Sequence, residues 1–141
     1  MPIRPENRAR YPKDWRQIRE RILRRASNCC ENPECGARQY DVGWWRMVMG
    51  RWTWQEQVRG LRSWREASQA GAEIFFGLGE EGKVPTVIVL TIAHLDHTPE
   101  NCSDDNLRAM CQRHHLAYDA QHHRINAQAT RRKRAGTLEL F

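Results

Sequence analysis

Trp15, Ile18, Ile22 and Leu23 recur at helical spacing behind Asp14, a residue type that caps helix N-termini. They predict a helix over residues 14–27, with one apolar stripe and an arginine-rich opposite face. Before it, residues 1–13 hold three of the six prolines and scattered arginines, and read as an extended basic arm. After it, Cys29 to Gly36 is a turn-rich knuckle in which Pro33 and Gly36 supply the turn chemistry. Five of the six tryptophans then lie within residues 41–82. There Thr53-Trp-Gln-Glu56 has the form of a capping box, and Trp54, Val58, Leu61 and Trp64 follow at helical spacing. That pattern predicts an amphipathic helix of about four turns, with Gly71, Gly77, Gly79 and Gly82 marking its end and a flexible connection. Val84 to Ala93 is a β-rich run ending at a histidine, and a polar turn covers His94 to Asp105. From about Met110 the chain reads as helix through the His122 region, and residues 124–141 as a basic tail.

A chain of 141 residues has room for one domain with an arm and an insertion, and buries only a modest core. Its mean hydropathy of -0.83 calls for support beyond apolar packing. No apolar run approaches the roughly 20 residues of a membrane span, which excludes that class. The N-terminus lacks an apolar leader segment, so a cytoplasmic protein is expected. Net charge is +6, with a pI near 9.4, which favours a polyanionic partner. The charge is concentrated: Arg16, Arg19, Arg21, Arg24 and Arg25 crowd the first helix, and Arg131-Arg132-Lys133-Arg134 form a run near the C-terminus. Both groups are candidates for phosphate contact. Tryptophans are costly to expose, so the insertion is expected to pack on the main core, the alternative being a partner-docking or base-stacking surface.

The five cysteines are an odd number in a chain without an export signal, which points to metal ligation or free thiols over a disulfide framework. All six histidines follow residue 93, in three groups: His94 and His97, His114 and His115, His122 and His123. They sit beside Asp96, Asn101, Asn106, Cys111 and Asp119. A strand end, a polar loop and a helix that carry such residues together suit a metal pocket.

Ile92-Ala-His-Leu-Asp-His-Thr-Pro-Glu-Asn101 followed by Asn106-Leu-Arg-Ala-Met-Cys111-Gln-Arg-His-His115 resembles the HNH nuclease signature, closest to small phage and bacterial proteins of that family. Asn106 follows His94 by 12 positions and precedes His115 by 9. The resemblance covers residues 28–36 and 84–123 and is silent on 41–82. It implies a ββα-metal core over 84–123 with a zinc knuckle; joined to the N-terminal helix and the Trp-rich helical insertion read from the pattern, the expected fold class is α+β. It also implies DNA as substrate, His94 as the general base that activates water, and His115 as the helix-borne ligand of a divalent cation such as Mg²⁺. Asn106 corresponds to the residue that braces the loop holding the base. Many members carry Asp or His just before the base as a second metal ligand, where this chain has Ala93. Asp96, His97 and Asp119 are the nearby substitutes, and a register with Asp96-His97 as the ligand-plus-base pair stays open.

Cys30-x4-Cys35 and Cys111-x2-His114 have the form of a four-ligand structural zinc site, with Cys29 as the rival of Cys30 and buried free thiols as the alternative. Cys102 is expected to remain a free thiol. Adjacent helix residues point about 100° apart, so His114 can face zinc while His115 faces the scissile phosphate. Arg108, Arg113, Arg124 and the 131–134 run are candidate nucleic-acid contacts, and His122 and His123 are phosphate contacts or surface residues. Two other readings remain: a weakly active or inactive zinc-stapled module that binds DNA or a packaging partner, and a regulator that binds a protein through the Trp-rich insertion.

Overall fold

The computed structural model describes residues 3–77 and 83–139. It contains three helices, α1 (Trp15–Arg25), α2 (Trp64–Gly77) and α3 (Gln112–Glu139). The five strands are β1 (Val42–Val48), β2 (Arg51–Val58), β3 (Thr86–Val87), β4 (Thr91–His94) and β5 (Leu107–Met110). The chain is therefore mixed α+β, with one three-stranded sheet ordered β2-β1-β3 and one two-stranded sheet, β4-β5.

The first helix forms where the apolar stripe predicts it and buries Ile18, Ile22 and Leu23. Asp14 precedes it but makes no capping bond through its side chain. Two consecutive left-handed residues, Ser27 and Asn28, stop the helix, and the Asn28 N–H returns to the Leu23 carbonyl at 2.9 Å. The arm is not simply extended, since Pro5–Arg10 forms a 3-10 turn.

The insertion departs from the helix expected at Trp54–Trp64. Residues 42–58 form a β-hairpin, and the residues of the supposed capping box, Thr53 and Glu56, lie in β2. Val48 pairs with Arg51 across a two-residue turn, Met49-Gly50, with φ of 48° and 78°. That is the mirror-image turn geometry that matches strand twist. Trp45 faces Trp54 and Met47 faces Trp52 across the strands, with the Trp45 and Trp54 rings 5.2 Å apart. Such aromatic pairs stabilise a ladder, and positions four apart share a face in a regular strand as well as in a helix. The helix comes ten residues later. Its start is a genuine side-chain cap: Ser63 Oγ accepts the Glu66 N–H at 3.2 Å, and Glu66 reaches back to the Arg62 N–H at 2.8 Å. Gly71 lies inside α2, against Val42 and Val87, and does not end it. Gly79 and Gly82 lie outside the described residues.

The run 84–93 serves both sheets. Its first part pairs with β1 as β3, its last part pairs with β5 as β4, and residues 88–90 cross between them without joining a strand. The crossing is sealed by side chains: Gln39 accepts the Leu90 N–H at 2.6 Å, and Gln112 bonds Val89 N and Val87 O at 3.1 and 2.7 Å. Ile88 and Leu90 are fully buried there. β4 and β5 are antiparallel, with Thr91 opposite Met110 and His94 opposite Leu107. The chain then turns at Cys111 directly into α3, which packs on both strands, while α1 packs on β5. α3 runs far beyond the expected His122 region, so the basic tail of 124–141 is helical as far as residue 139.

Gly43 sits at the irregularity in the β1–β2 register, and a Cβ there would lie 2.1 Å from the Gln55 carbonyl oxygen. That neighbour is backbone, so the sheet must open to accept any side chain. Gly43→Ala is expected to lower the melting temperature by at least about 5 °C in a thermal denaturation scan. An unchanged melting curve would contradict the hairpin register.

Candidate functional site

Cys30 and Cys35, on the knuckle, meet Cys111 and His114, at the start of α3, in one cluster. The three cysteines are buried, at 7%, 8% and 0% exposure. Cys35 Sγ lies 3.8 Å from Cys111 Sγ, and His114 Nδ1 lies 3.2 Å from Cys111 Sγ and 3.7 Å from Cys30 Sγ. A tetrahedron with metal–sulfur bonds of ~2.3 Å has S···S edges of about 3.8 Å and slightly shorter S···N edges. The four side chains thus lie close enough to hold a metal ion, in an arrangement consistent with structural zinc. The Cys111 backbone N–H donates to Cys30 Sγ at 3.3 Å, which favours the thiolate. Hydrogen bonds from Cys111 and Cys35 bring Cys30 down to about 2, and the same sharing pushes Cys111 up to about 11 and Cys35 higher. Cys29 is not part of the cluster, because its Sγ bonds the Ser27 carbonyl.

The knuckle is held against β5 by Glu31, whose N–H donates to the Ala109 carbonyl and whose carboxylate accepts the Ala109 N–H, both at 2.8 Å, and Arg25 at 2.7 Å. Several arginines read as phosphate contacts are engaged in this way. Arg25 also bonds the Asp104 and Leu107 carbonyls, Arg21 pairs with Asp104 at 2.8 Å, and Arg16 pairs with Glu20. Arg113 lies over two indole rings, 4.2 Å from Trp52 and 5.4 Å from Trp45.

One residue past His114 of the sulfur cluster, His115 points about 100° further round the helix and lines a cleft of about 550 Å³. Asp119, one turn on, shares the cleft and places Oδ2 3.1 Å from His115 Nε2. The other carboxylate oxygen lies 3.4 Å from His97 Nδ1. His97 in turn stacks on His122 at 4.0 Å and on Tyr118 at 5.4 Å. His115 Nδ1 meets Thr91 Oγ1 at 2.5 Å, and burial lowers the His115 pKa. This arrangement is more open than the sulfur cluster. Among the described residues, only the Cys30, Cys35, Cys111 and His114 group has all its ligand atoms within 4.8 Å of one another. Thr91 carried no signal in the sequence; the Thr91–Met110 register delivers it to His115.

Asp96 does not face this cleft's carboxylate. Its oxygens accept Asn101 Nδ2 and Asn106 Nδ2, both at 2.8 Å, and the Thr98 N–H at 2.9 Å. Those bonds hold its pKa at about 2 and make it a brace of the loop. Asn106 knits the same loop, accepting the Asp96 N–H at 3.1 Å and donating to the Asn101 carbonyl at 2.8 Å. Its own carbonyl accepts the Leu95 N–H at 2.8 Å, just past His94.

His94 ends β4 at 8% exposure. Its ring stacks on Trp15 at 5.2 Å and meets the edge of Tyr11 at 5.7 Å, and its Nε2 lies 3.7 Å from Cys102 Sγ. Cys102 therefore packs on the imidazole, and burial pushes its thiol up. Burial is also the main reason the His94 pKa is lowered. His94 stands behind Tyr11 and Trp15, which line the His115 cleft together with Arg4 and Arg19. The remaining basic candidates, Arg108, Arg124 and the run 131–134, are exposed. No helix among the described residues is long and apolar enough to cross a membrane.

No family model, curated protein or solved structure matches this chain.

Protein purified without chelator is expected to carry about one tightly bound metal per chain by elemental analysis. Cys29→Ser should leave that stoichiometry unchanged, whereas Cys30→Ser and Cys111→Ser should lower it and destabilise the fold. Equal loss from Cys29→Ser would contradict the assignment of ligands.

Proposed function

We propose that this chain is a metal-dependent endonuclease of the HNH type that hydrolyses DNA phosphodiester bonds, with zinc as its structural metal. One observation carries the reading: an antiparallel pair runs directly into a helix, with His94 at the strand end, Asn106 bracing the loop and His115 and Asp119 on the helix. That order on a chain of net charge +6 suits a polyanionic substrate. Arg4 and Arg19 in the cleft offer charge for a phosphate.

The place of the missing ligand before His94 is taken, in this reading, by Asp119 and His97. The Thr91 hydroxyl lies 3.4 Å from the Met110 carbonyl. With its proton directed there, its oxygen accepts from His115 Nδ1–H, and the bare Nε2 lone pair faces the Asp119 carboxylate. In that tautomer His115 Nε2 and the Asp119 carboxylate, 3.1 Å apart, would together hold a divalent cation. A divalent cation such as Mg²⁺ bound there supplies positive charge for the phosphate's non-bridging and leaving oxygens. His94, neutral at working pH, takes the proton of the attacking water, and the Asn106 loop fixes its orientation.

The second reading is a zinc-stapled DNA-binding or packaging module with little or no cleavage. It is favoured by the covering of His94 by Trp15 and Tyr11, which must give way for a water and a phosphate to reach the imidazole.

Plasmid relaxation or linearisation is expected with wild-type protein and a divalent metal, and is abolished by EDTA. His94→Ala should reduce the rate by at least about a hundredfold while leaving DNA affinity within a factor of a few. DNA binding without cleavage in any divalent metal would instead establish the second reading. Because burial lowers the His94 pKa, its unprotonated form persists below the ordinary 6.5. The acid limb of the pH–rate profile should therefore fall below pH 6.5. By linkage, the stability gained from burying neutral His94 is complete above 6.5 and is lost as pH falls through the lowered value. An acid limb above 6.5 would remove His94 as the base.

A further inference from the structure

The β1–β2 ribbon ends in an apolar tip on a strongly polar chain. Met49 is 98% exposed, and Met47, Trp52 and Val48 are 54%, 50% and 41% exposed. Met49 also occupies a left-handed turn position, φ 48°, that suits Asn, Asp or Gly far better than a long apolar side chain. Neither solvation nor turn geometry explains a methionine there. Exposed apolar side chains gathered in this way mark a contact surface.

The chemistry around the tip says what it contacts. Residues 42–55 contain two arginines, Arg46 and Arg51, and no acidic residue; Arg51 pairs with Glu34 of the knuckle at 2.8 Å, and Arg113 adds a further cation beside Trp52. The Arg113 guanidinium lies 4.2 Å from the Trp52 ring centroid while half the residue stays exposed. An exposed indole beside cationic side chains is the equipment that stacks nucleic-acid bases and neutralises their phosphates. Position agrees with chemistry. Arg51, Trp52 and Arg113 border an open cleft of about 910 Å³, and Leu116, on the rim of that cleft, also lines the cleft of His115 and Asp119. One strand of nucleic acid can cross α3 and touch both.

We propose that the ribbon is a second nucleic-acid contact, in which Trp52 stacks on an unstacked base and Met49 wedges into the helical stack beside it. The choice of nucleic acid as occupant rests on the nuclease reading, but the contact itself requires no cleavage. It gives the protein a preference for DNA that is already distorted, because wedging is easiest where stacking is broken.

The test uses full-length metal-loaded protein without added catalytic metal, and measures fluorescence anisotropy of a labelled duplex and of the same duplex with a central mismatched bubble. Wild type is expected to bind the bubble more tightly. Trp52→Ala and Met49→Asn should each weaken bubble binding about fivefold or more and erase the preference. Met49→Asn suits the turn and should keep or raise the melting temperature, so its loss of binding cannot be ascribed to unfolding. Variants that bind both DNAs like wild type overturn the ribbon contact, while plasmid cleavage by the same preparation would leave the nuclease reading standing. Bubble preference without any cleavage supports the ribbon and removes the nuclease. A protein ligand lost on Trp52→Ala, with DNA affinity unchanged, also overturns the proposal.

Discussion

Three buried sulfurs and one imidazole tie together segments about eighty positions apart, and the rest of the architecture depends on that junction. Cys30 and Cys35 belong to the knuckle behind α1, and Cys111 and His114 to the start of α3. The apolar core beside it is small, centred on Ile22, Ile88, Leu90 and Leu107. Three thiols packed this tightly cannot all ionise without a cation. A metal held by them would tie the knuckle to the first turn of α3. Once His114 is turned to the sulfurs, helical geometry aims His115 about 100° further round, into the cleft. The structural cluster and the candidate reactive cluster are thus two faces of one dipeptide.

In the proposed nuclease, the histidine cleft would take over from a ligand before His94. Ala93 is buried and offers no donor. Asp119 stands between His115 and His97, and Thr91 orients His115 from the same strand that carries Ala93. The function of a missing side chain is distributed over a strand, a loop and a helix. Asp96 was the nearest acid in sequence, but its hydrogen bonds to Asn101, Thr98 and Asn106 commit it to the loop.

Elements with a single unambiguous period were legible in the sequence, as was the sulfur cluster. The stripe Trp15, Ile18, Ile22, Leu23 fits a helix, and cysteine and histidine spacings of four and two intervening residues suit a tight ligand set, with the choice between Cys29 and Cys30 left to the folded knuckle. The insertion imitates a helix because positions four apart share a face in a helix and in a regular strand alike, the irregularity beside Gly43 is not visible in the pattern, and Met49-Gly50 is a weak turn signal beside Asn-Gly. Ser63 and Glu66, the residues that cap α2, lay ten positions beyond the pair that imitated them. The pairing of Arg21 with Asp104 and of Arg25 with Glu31 was not visible either, since ion pairs between elements leave no periodicity. Thr91 and the aromatic cover of His94 depend on strand register and on the packing of the arm, which only the folded chain defines.

The most direct measurement is anomalous diffraction from crystals grown with Mn²⁺, collected at both the zinc and manganese edges. The account predicts a zinc peak enclosed by Cys30, Cys35, Cys111 and His114, and a separate manganese peak against His115 Nε2 and the Asp119 carboxylate. A sulfur cluster without metal, or manganese bound only away from His115, would contradict it.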